Sequence, residues 1–363
     1  MKQRHILLGM IATTSLCACD LVSEQIDVLT GKSQQQSDNT AVVATAKNDN
    51  NAPVNMGITI YNGDVAYVAA YTQKLTQNAG AMSGVQFDLV DAKNDAANQM
   101  AQIDTFINQG KDVLLVNLVD TSEESALAVI NKAKAKNIPV VFYHRYPGAK
   151  VLQNYDKAYF VGTKASDSGI IQGEMVVKNW LEHPEWDKNG DGVIQYVILK
   201  GKSGNADAEG RTQWVAATIQ DYPSKGVKAE ELEVTVANWQ RAEAKPIVSE
   251  WLNGPLADKI EVIISNNDNM ALGALDALEE AGKSLPVFGV DAALEVQEAI
   301  KANKIVGSVG QDVNEQSQAA LNLAVNLVRG NDPATNAKAT IVRQEMFLNY
   351  IGVDKSNVDT WGK

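Results

Sequence analysis

The chain of 363 residues carries 44 Asp and Glu against 32 Lys and Arg, a formal net charge of -12. No cluster of basic residues interrupts that acidity, which excludes a nucleic-acid partner gripped through its phosphates. The composition, 45% hydrophobic, 21% charged and 6% aromatic, is that of an ordinary globular protein, and the length allows about two domains.

Lys2 and Arg4 precede the apolar run from Ile6 to Leu16. That run is too short for a helix across a bilayer of about 30 Å, but it fits the apolar segment of a secretory signal. It ends in Leu16-Cys17-Ala18-Cys19, which resembles a bacterial lipobox, so residues 1–19 are expected to be a lipoprotein signal with Cys19 as the lipidated residue. Cys17 stands where lipoboxes more often hold a small aliphatic or hydroxyl side chain. Both cysteines of the protein lie here, so an acylated Cys19 leaves the mature chain neither a free thiol nor a disulfide. Residues 20–53, rich in Gln, Ser, Asn, Asp, Thr and Ala, have too little apolar surface to offset their ordering entropy. They are expected to form a flexible tether with a reach of about 30 Å.

From Val54 onward, short β-branched runs alternate with helical periodicity. Strands are expected at 55–62, 85–92, 112–119 and 138–144, with helix-like stretches between them such as 98–110. A second series follows at 194–201, 232–239, 260–268, 285–292 and 305–312. Strands this apolar, each followed by a helix, belong in parallel sheets covered on both faces. Two series predict an α/β fold of two doubly wound lobes.

Polar residues gather at the carboxyl ends of these strands: Asp64, Asp91, Asn117, Asn205, Asp207, Trp239, Asn267, Asp268, Asp291 and Gln311. Ligands of open α/β sheets sit outside those ends. Any one Asp or Asn there could instead be a helix cap or a turn residue. Their shared topological position points to a site.

Residues 187–198, DKNGDGVIQYVI, follow the first nine positions of a calcium loop and then run into an apolar strand. Asp187, Asn189 and Asp191 occupy positions 1, 3 and 5, Gly192 the sharp turn, Val193 the backbone carbonyl of position 7, and Gln195 position 9. Ile198 stands where the bidentate glutamate should be, so that carboxylate must come from elsewhere. Enzyme signatures are missing: no GxSxG, HExxH or Walker sequence occurs, and the histidines are His5, His144 and His183. His144 is expected in a loop or hinge.

Six segments, LVNLVD (115–120), YDKAYFVGT (155–163), SGIIQGE (168–174), NADAEGR (205–211), NNDNMALGAL (266–275) and PVFGVDA (286–292), together resemble the periplasmic glucose/galactose-binding proteins, in the family's order. The resemblance covers roughly residues 55–358. It implies two Rossmann-like lobes joined by three hinge crossings that close on a monosaccharide and deliver it to an ABC permease, with a chemoreceptor as a further partner. Residues 54–137 and about 312–345 would form the first lobe, about 138–311 and 346–358 the second. The resemblance also implies a monomer without enzymatic activity, while the lipobox implies a lipid anchor at the membrane facing the periplasm or cell exterior. It supplies the missing calcium ligand as Glu261, completing a structural Ca2+ site with Asp187, Asn189, Asp191, Val193 and Gln195.

A pyranose needs aromatic rings against its C–H faces and planar polar groups around its edge. Trp239 matches the family's stacking tryptophan and Tyr67 the ring on the opposite face. Asn117, Asp207, Arg211, Asn267 and Asp291 match hydrogen-bonding positions. Three positions depart: Val65 replaces an aspartate, with Asp64 one residue away; Asn205 replaces a histidine; Gln311 replaces an asparagine. Each touches a hydroxyl contact, so a receptor for a pentose or furanose stays open beside the glucose or galactose reading. Asp207 and Asp291 would otherwise suit a glycoside-acting enzyme.

Overall fold

The structure, a computed structural model, describes residues 53–222 and 226–362. The expected signal with Cys19, and the tether up to residue 52, lie outside the described residues. The first part of the chain forms β1 (Val54–Ile60), α1 (Ala66–Ala81), β2 (Val85–Asp91), α2 (Ala96–Asn108), β3 (Val113–Val116), α3 (Glu123–Ala135), β4 (Val140–Tyr143), the short α4 (Ala149–Leu152) and β5 (Ala158–Thr163). The second part runs α5 (Ala165–Glu182), β6 (Val193–Lys200), α6 (Ala206–Gln220), β7 (Lys228–Val236), α7 (Arg241–Asn253), β8 (Val262–Ser265), α8 (Asp268–Glu280), β9 (Val287–Asp291), α9 (Leu294–Lys301) and β10 (Gly307–Gln311). The chain then returns through α10 (Val313–Arg329), β11 (Ile341–Val342) and β12 (Glu345–Leu348), and ends with β13 (Tyr350–Asp354).

These strands make two sheets, ordered β11-β12-β5-β4-β3-β1-β2 and β13-β10-β9-β8-β6-β7. All pairs are parallel except β11 with β12 and β10 with β13. The expected doubly wound α/β fold is therefore the observed one. The strand alternation explains it: Val113, Leu115, Val141 and Tyr143 enter one core of the first lobe, while Leu114, Val116, Val140 and Phe142 enter the core on the opposite face. In the second lobe Val197, Leu199 and Ile263 face one way, and Tyr196, Ile198, Val262 and Ile264 the other. Each such side chain contributes about 1.5–3 kcal/mol of burial, so neither face can be left to solvent. Among the described residues no helix is long and apolar enough to cross a membrane.

The expected lobe boundaries need correction. β4 and β5 lie in the first sheet, so the chain first crosses between Thr163 and Ala165 rather than near 137. Likewise β12 belongs to the first sheet, and the last crossing falls between Leu348 and Tyr350. The middle crossing, between β10 and α10, lies where the second expected boundary was drawn. A crossing is only a βα or ββ connection that happens to leave its sheet, and its local hydropathy is no different. The helix expected at 98–110 begins earlier, at Ala96, because the Asp95 carboxylate accepts hydrogen bonds from Ala97 N and Asn98 N and so caps it.

Candidate functional site: a cleft between two sheets

Both sheets turn the carboxyl ends of their parallel strands toward a cleft of about 580 Å³. Tyr67, Asn205, Asp207, Arg211, Trp239, Asn267 and Asp291 all line it. Asn117 and Gln311 stand behind this surface, 1% and 3% exposed. Asp64 does not belong: its side chain is exposed and outside the lining, because it falls in the turn before α1, and Val65 faces the cleft instead.

Trp239 lies across the end of β6. A Cβ on Gly201 would stand 2.3 Å from its ring, so only glycine lets the indole rest on the backbone there. Gly201→Ala is expected to displace Trp239 and quench or shift its fluorescence response to ligand while the fold holds; an unchanged response would remove glycine's role as the floor of this ring. Trp239 itself holds φ at 68°, Asp291 at 122° and His144 at 62°. Such backbone is costly for residues other than glycine, about 1–3 kcal/mol each, and here it falls on three cleft residues at the ends of β7, β9 and β4.

Arg211, 4% exposed, is the polar centre. Its Nη1 donates to Asn266 O at 2.7 Å and lies 3.8 Å from Asp291 Oδ1, and its Nη2 donates to Tyr350 Oη at 3.2 Å. Its Nε is buried without a partner, an unfilled donor at the cleft. The guanidinium carbon sits 5.7 Å from the centre of the Trp239 ring. Burial pushes the Asp291 carboxyl up to about 6, against the opposing pull of Arg211 and the hydrogen bond from Gln311.

Gln311 is a cross-lobe clasp. Its Nε2 donates to Asp291 Oδ1 at 2.8 Å, and its Oε1 accepts from Tyr67 Oη and Thr163 Oγ1, both at 3.2 Å. Tyr67 Oη also accepts from Gln316 Nε2 at 3.1 Å. Asn205 and Asn267 each have a second duty, as caps of α6 and α8: Asn205 Oδ1 accepts from Asp207 N and Ala208 N, and Asn267 Oδ1 from Met270 N. Their amide nitrogens remain for other partners, and Asn267 Nδ2 donates to Trp239 O at 3.3 Å.

Several lining residues were not among the expected site residues, among them Tyr61, His144 and Arg145. His144 lies in the bend after β4, within the loop expected for it, and its ring is 4.7 Å from that of Tyr67, with Nδ1 3.3 Å from Asn117 Nδ2. Burial first, then Arg145 and Arg211, hold it neutral by lowering its pKa to about 3. The available signal was position, since Tyr61 ends the first strand, and His144 and Arg145 end the fourth.

The calcium-like loop lies between a 3-10 turn at Pro184–Trp186 and β6. The Asp187 carboxylate accepts from Gly190 N, Asp191 N and Gly192 N at 2.8–3.1 Å, and Gly192 holds φ at 70° as the sharp turn requires. Glu261, 1% exposed, reaches the loop from the start of β8: Oε1 accepts from Lys188 N at 2.8 Å and Oε2 from Gln195 N at 3.2 Å. Gln195 Nε2 donates to Asp191 Oδ2, and its Oε1 is buried without a partner. Among the described residues no three His, Cys, Asp or Glu side chains are grouped as a metal site. The donors here are mixed carboxylate, amide and carbonyl oxygens, the type a hard cation takes.

Two α/β lobes with a polar, tryptophan-walled cleft at the strand ends define a two-lobed solute-binding protein. The model of the periplasmic binding protein domain matches residues 56–332, and the chain belongs to that family. It is 40% identical over 303 residues to the D-galactose/methyl-galactoside binding periplasmic protein MglB of Haemophilus influenzae, covering 84% of this chain and 90% of that one. It is 28% identical over 282 residues to the xylitol-binding protein of Mycolicibacterium smegmatis, covering 77% and 74%. An ABC transporter solute binding protein from Bacillus halodurans, solved with bound myo-inositol, superposes with a TM-score of 0.70 at 28% identity, over 86% of this chain and 98% of that one. The family and these relatives are binding proteins rather than enzymes.

Proposed function

We propose that this chain is an exported receptor that captures a monosaccharide of the glucose and galactose type between its lobes and hands it to an ABC permease. The carrying observation is the pairing of the Trp239 ring with the Arg211, Asp207 and Asp291 group in one cleft, a flat apolar surface beside donors and acceptors that fit ring hydroxyls. The relatives' galactoside, xylitol and myo-inositol ligands are all polyhydroxylated and support the same reading. Isothermal titration with glucose, galactose, xylose, ribose and arabinose tests it. Tight binding of a hexose is expected; silence toward all five would sink the neutral-monosaccharide reading. Aryl glycosides are expected to remain unhydrolysed.

Acid should weaken that binding. Asp291 accepts hydroxyls well only when ionised, and in the ligand-free cleft its carboxyl titrates at about 6. A folded-state pKa above the ordinary carboxylate value means that the ligand-free fold gains stability as pH falls through 6, while the sugar-binding form is lost. Affinity at pH 5 is expected to be about tenfold lower than at pH 7.5. His144, held neutral, adds no step in this range. Equal affinities at the two pH values would show that Asp291 does not accept from the ligand.

The loop at 187–195 with Glu261 is proposed to hold a structural Ca2+, supported by the orphaned Gln195 Oε1 and by a buried Glu261 that faces Asp187 and Asp191. Asp187, Asn189, Asp191, Gln195 and Glu261 would offer side-chain oxygens and Val193 its carbonyl. Lipidation at Cys19 would tether the lobes to the membrane without inserting them, with the receptor acting as a monomer and a chemoreceptor as a second partner.

A further inference from the structure

The two walls of the cleft differ in charge. Carboxylates come only from the second lobe, as Asp207, Glu243 and Asp291; among the described residues, the one charged side chain that the first lobe brings to the lining is Arg145. Arg145 is positioned rather than neutralised. Its Nη1 donates to Leu118 O at 2.7 Å and Val119 O at 2.8 Å, and the guanidinium lies 4.5 Å over the Tyr61 ring. No carboxylate among the described residues lies within ion-pair distance of it. The nearby Asp120 is occupied by the hydroxyls of Ser122 and Ser125 and by Ser122 N.

His144 adds to the same polarity. Its Nδ1 lies 3.3 Å from Asn117 Nδ2; with that amide donating, the neutral ring carries its proton on Nε2 as a further donor. Val65 supplies no acceptor at all. A neutral hexose would leave the Arg145 cation, half-buried already, to be dried further on closure with no direct ion pair, only the more distant charges of Asp207 and Asp120 offsetting it. A carboxylate would answer it with charge-assisted hydrogen bonds.

We propose that the ligand is an acidic monosaccharide, a hexuronate or a sugar of the same size bearing one carboxylate, with that carboxylate on Arg145 and the ring hydroxyls on the second lobe. This rests on the sugar-receptor reading and narrows it. The test is calorimetric titration of the purified protein with D-glucuronate, D-galacturonate, D-glucose and D-galactose at low and moderate salt. At least one hexuronate is expected to bind about tenfold or more tightly than its parent hexose, by a margin that shrinks with salt. Val65→Asp should cancel or invert the preference by placing a carboxylate on the same wall. That position precedes α1 with no side-chain cap, so the substitution also offers the helix an acceptor and is expected to fold. Arg145→Met should remove the preference and Arg145→Lys keep part of it; the wild-type ratio decides if either fails to fold. Hexoses bound as tightly as hexuronates by the wild type would overturn the proposal and leave the receptor standing. No binding of any of the four would overturn both.

Discussion

Arg211→Met is expected to lower sugar affinity by at least about 100-fold, the largest effect of any single substitution in the cleft. Removing one member of a buried, hydrogen-bonded charge group costs about 3–5 kcal/mol, because its partners are stranded. Here the stranded groups are Asn266 O, Tyr350 Oη and the Asp291 carboxylate. Asp291 has a way out: already pushed up to about 6, it would rise further without the guanidinium that pulls it down and take up a proton more readily. That escape limits the loss of fold stability and removes a sugar acceptor at the same time. The variant should therefore melt only a few degrees lower yet bind sugar barely or not at all. Calorimetric titration with thermal melts checks both, and affinity within tenfold of wild type would place Arg211 outside the recognition surface.

Calcium should raise the melting temperature of the wild type by roughly 10 °C and that of Glu261→Gln by little. A ligand at about a thousand times its dissociation constant stabilises the native state by about 4 kcal/mol, which for a chain of this size is several to about ten degrees. The choice of glutamine matters. Glu261 already accepts from Lys188 N and Gln195 N, so Glu261→Ala would unfasten both ends of the loop with or without metal. Glutamine keeps an acceptor and removes the charge. Differential scanning calorimetry in calcium and in chelator separates the two roles; equal calcium shifts for both proteins would rule out Glu261 as a ligand. Sugar affinity should change less, since the loop opens at the amino-terminal end of β6 and the cleft lies at its carboxyl end.

Much of the site was legible from strand ends alone. Trp239, Asp291, Asn267 and Asn205 follow strands directly, and a parallel sheet sends all such positions the same way. His144 and Arg145 occupy the same kind of position after β4. They were hidden by the misplaced lobe boundary, which made the turn after β4 look like a hinge instead of a wall. Asp64 was misjudged by one residue, since a turn entering α1 decides which of two neighbours faces inward.

The order of apolar strands and helices, and hence the doubly wound lobes, follows from sequence alone, because period-two burial on both faces is a local property that the residues carry wherever they fold. The calcium-like loop is local in the same sense, its turn being fixed by Gly190 and Gly192 and by the side-chain acceptors of Asp187 and Asp191. Tertiary structure alone decided which sheet each strand joins, that Asn117 stands behind His144, that Gln311 clasps Asp291 to Tyr67, and that Arg145 faces the cleft without an anion. Those relations join residues far apart in the chain, such as Tyr67 and Gln311. They depend on where the chain crosses between lobes, and neither hydropathy nor spacing records a crossing.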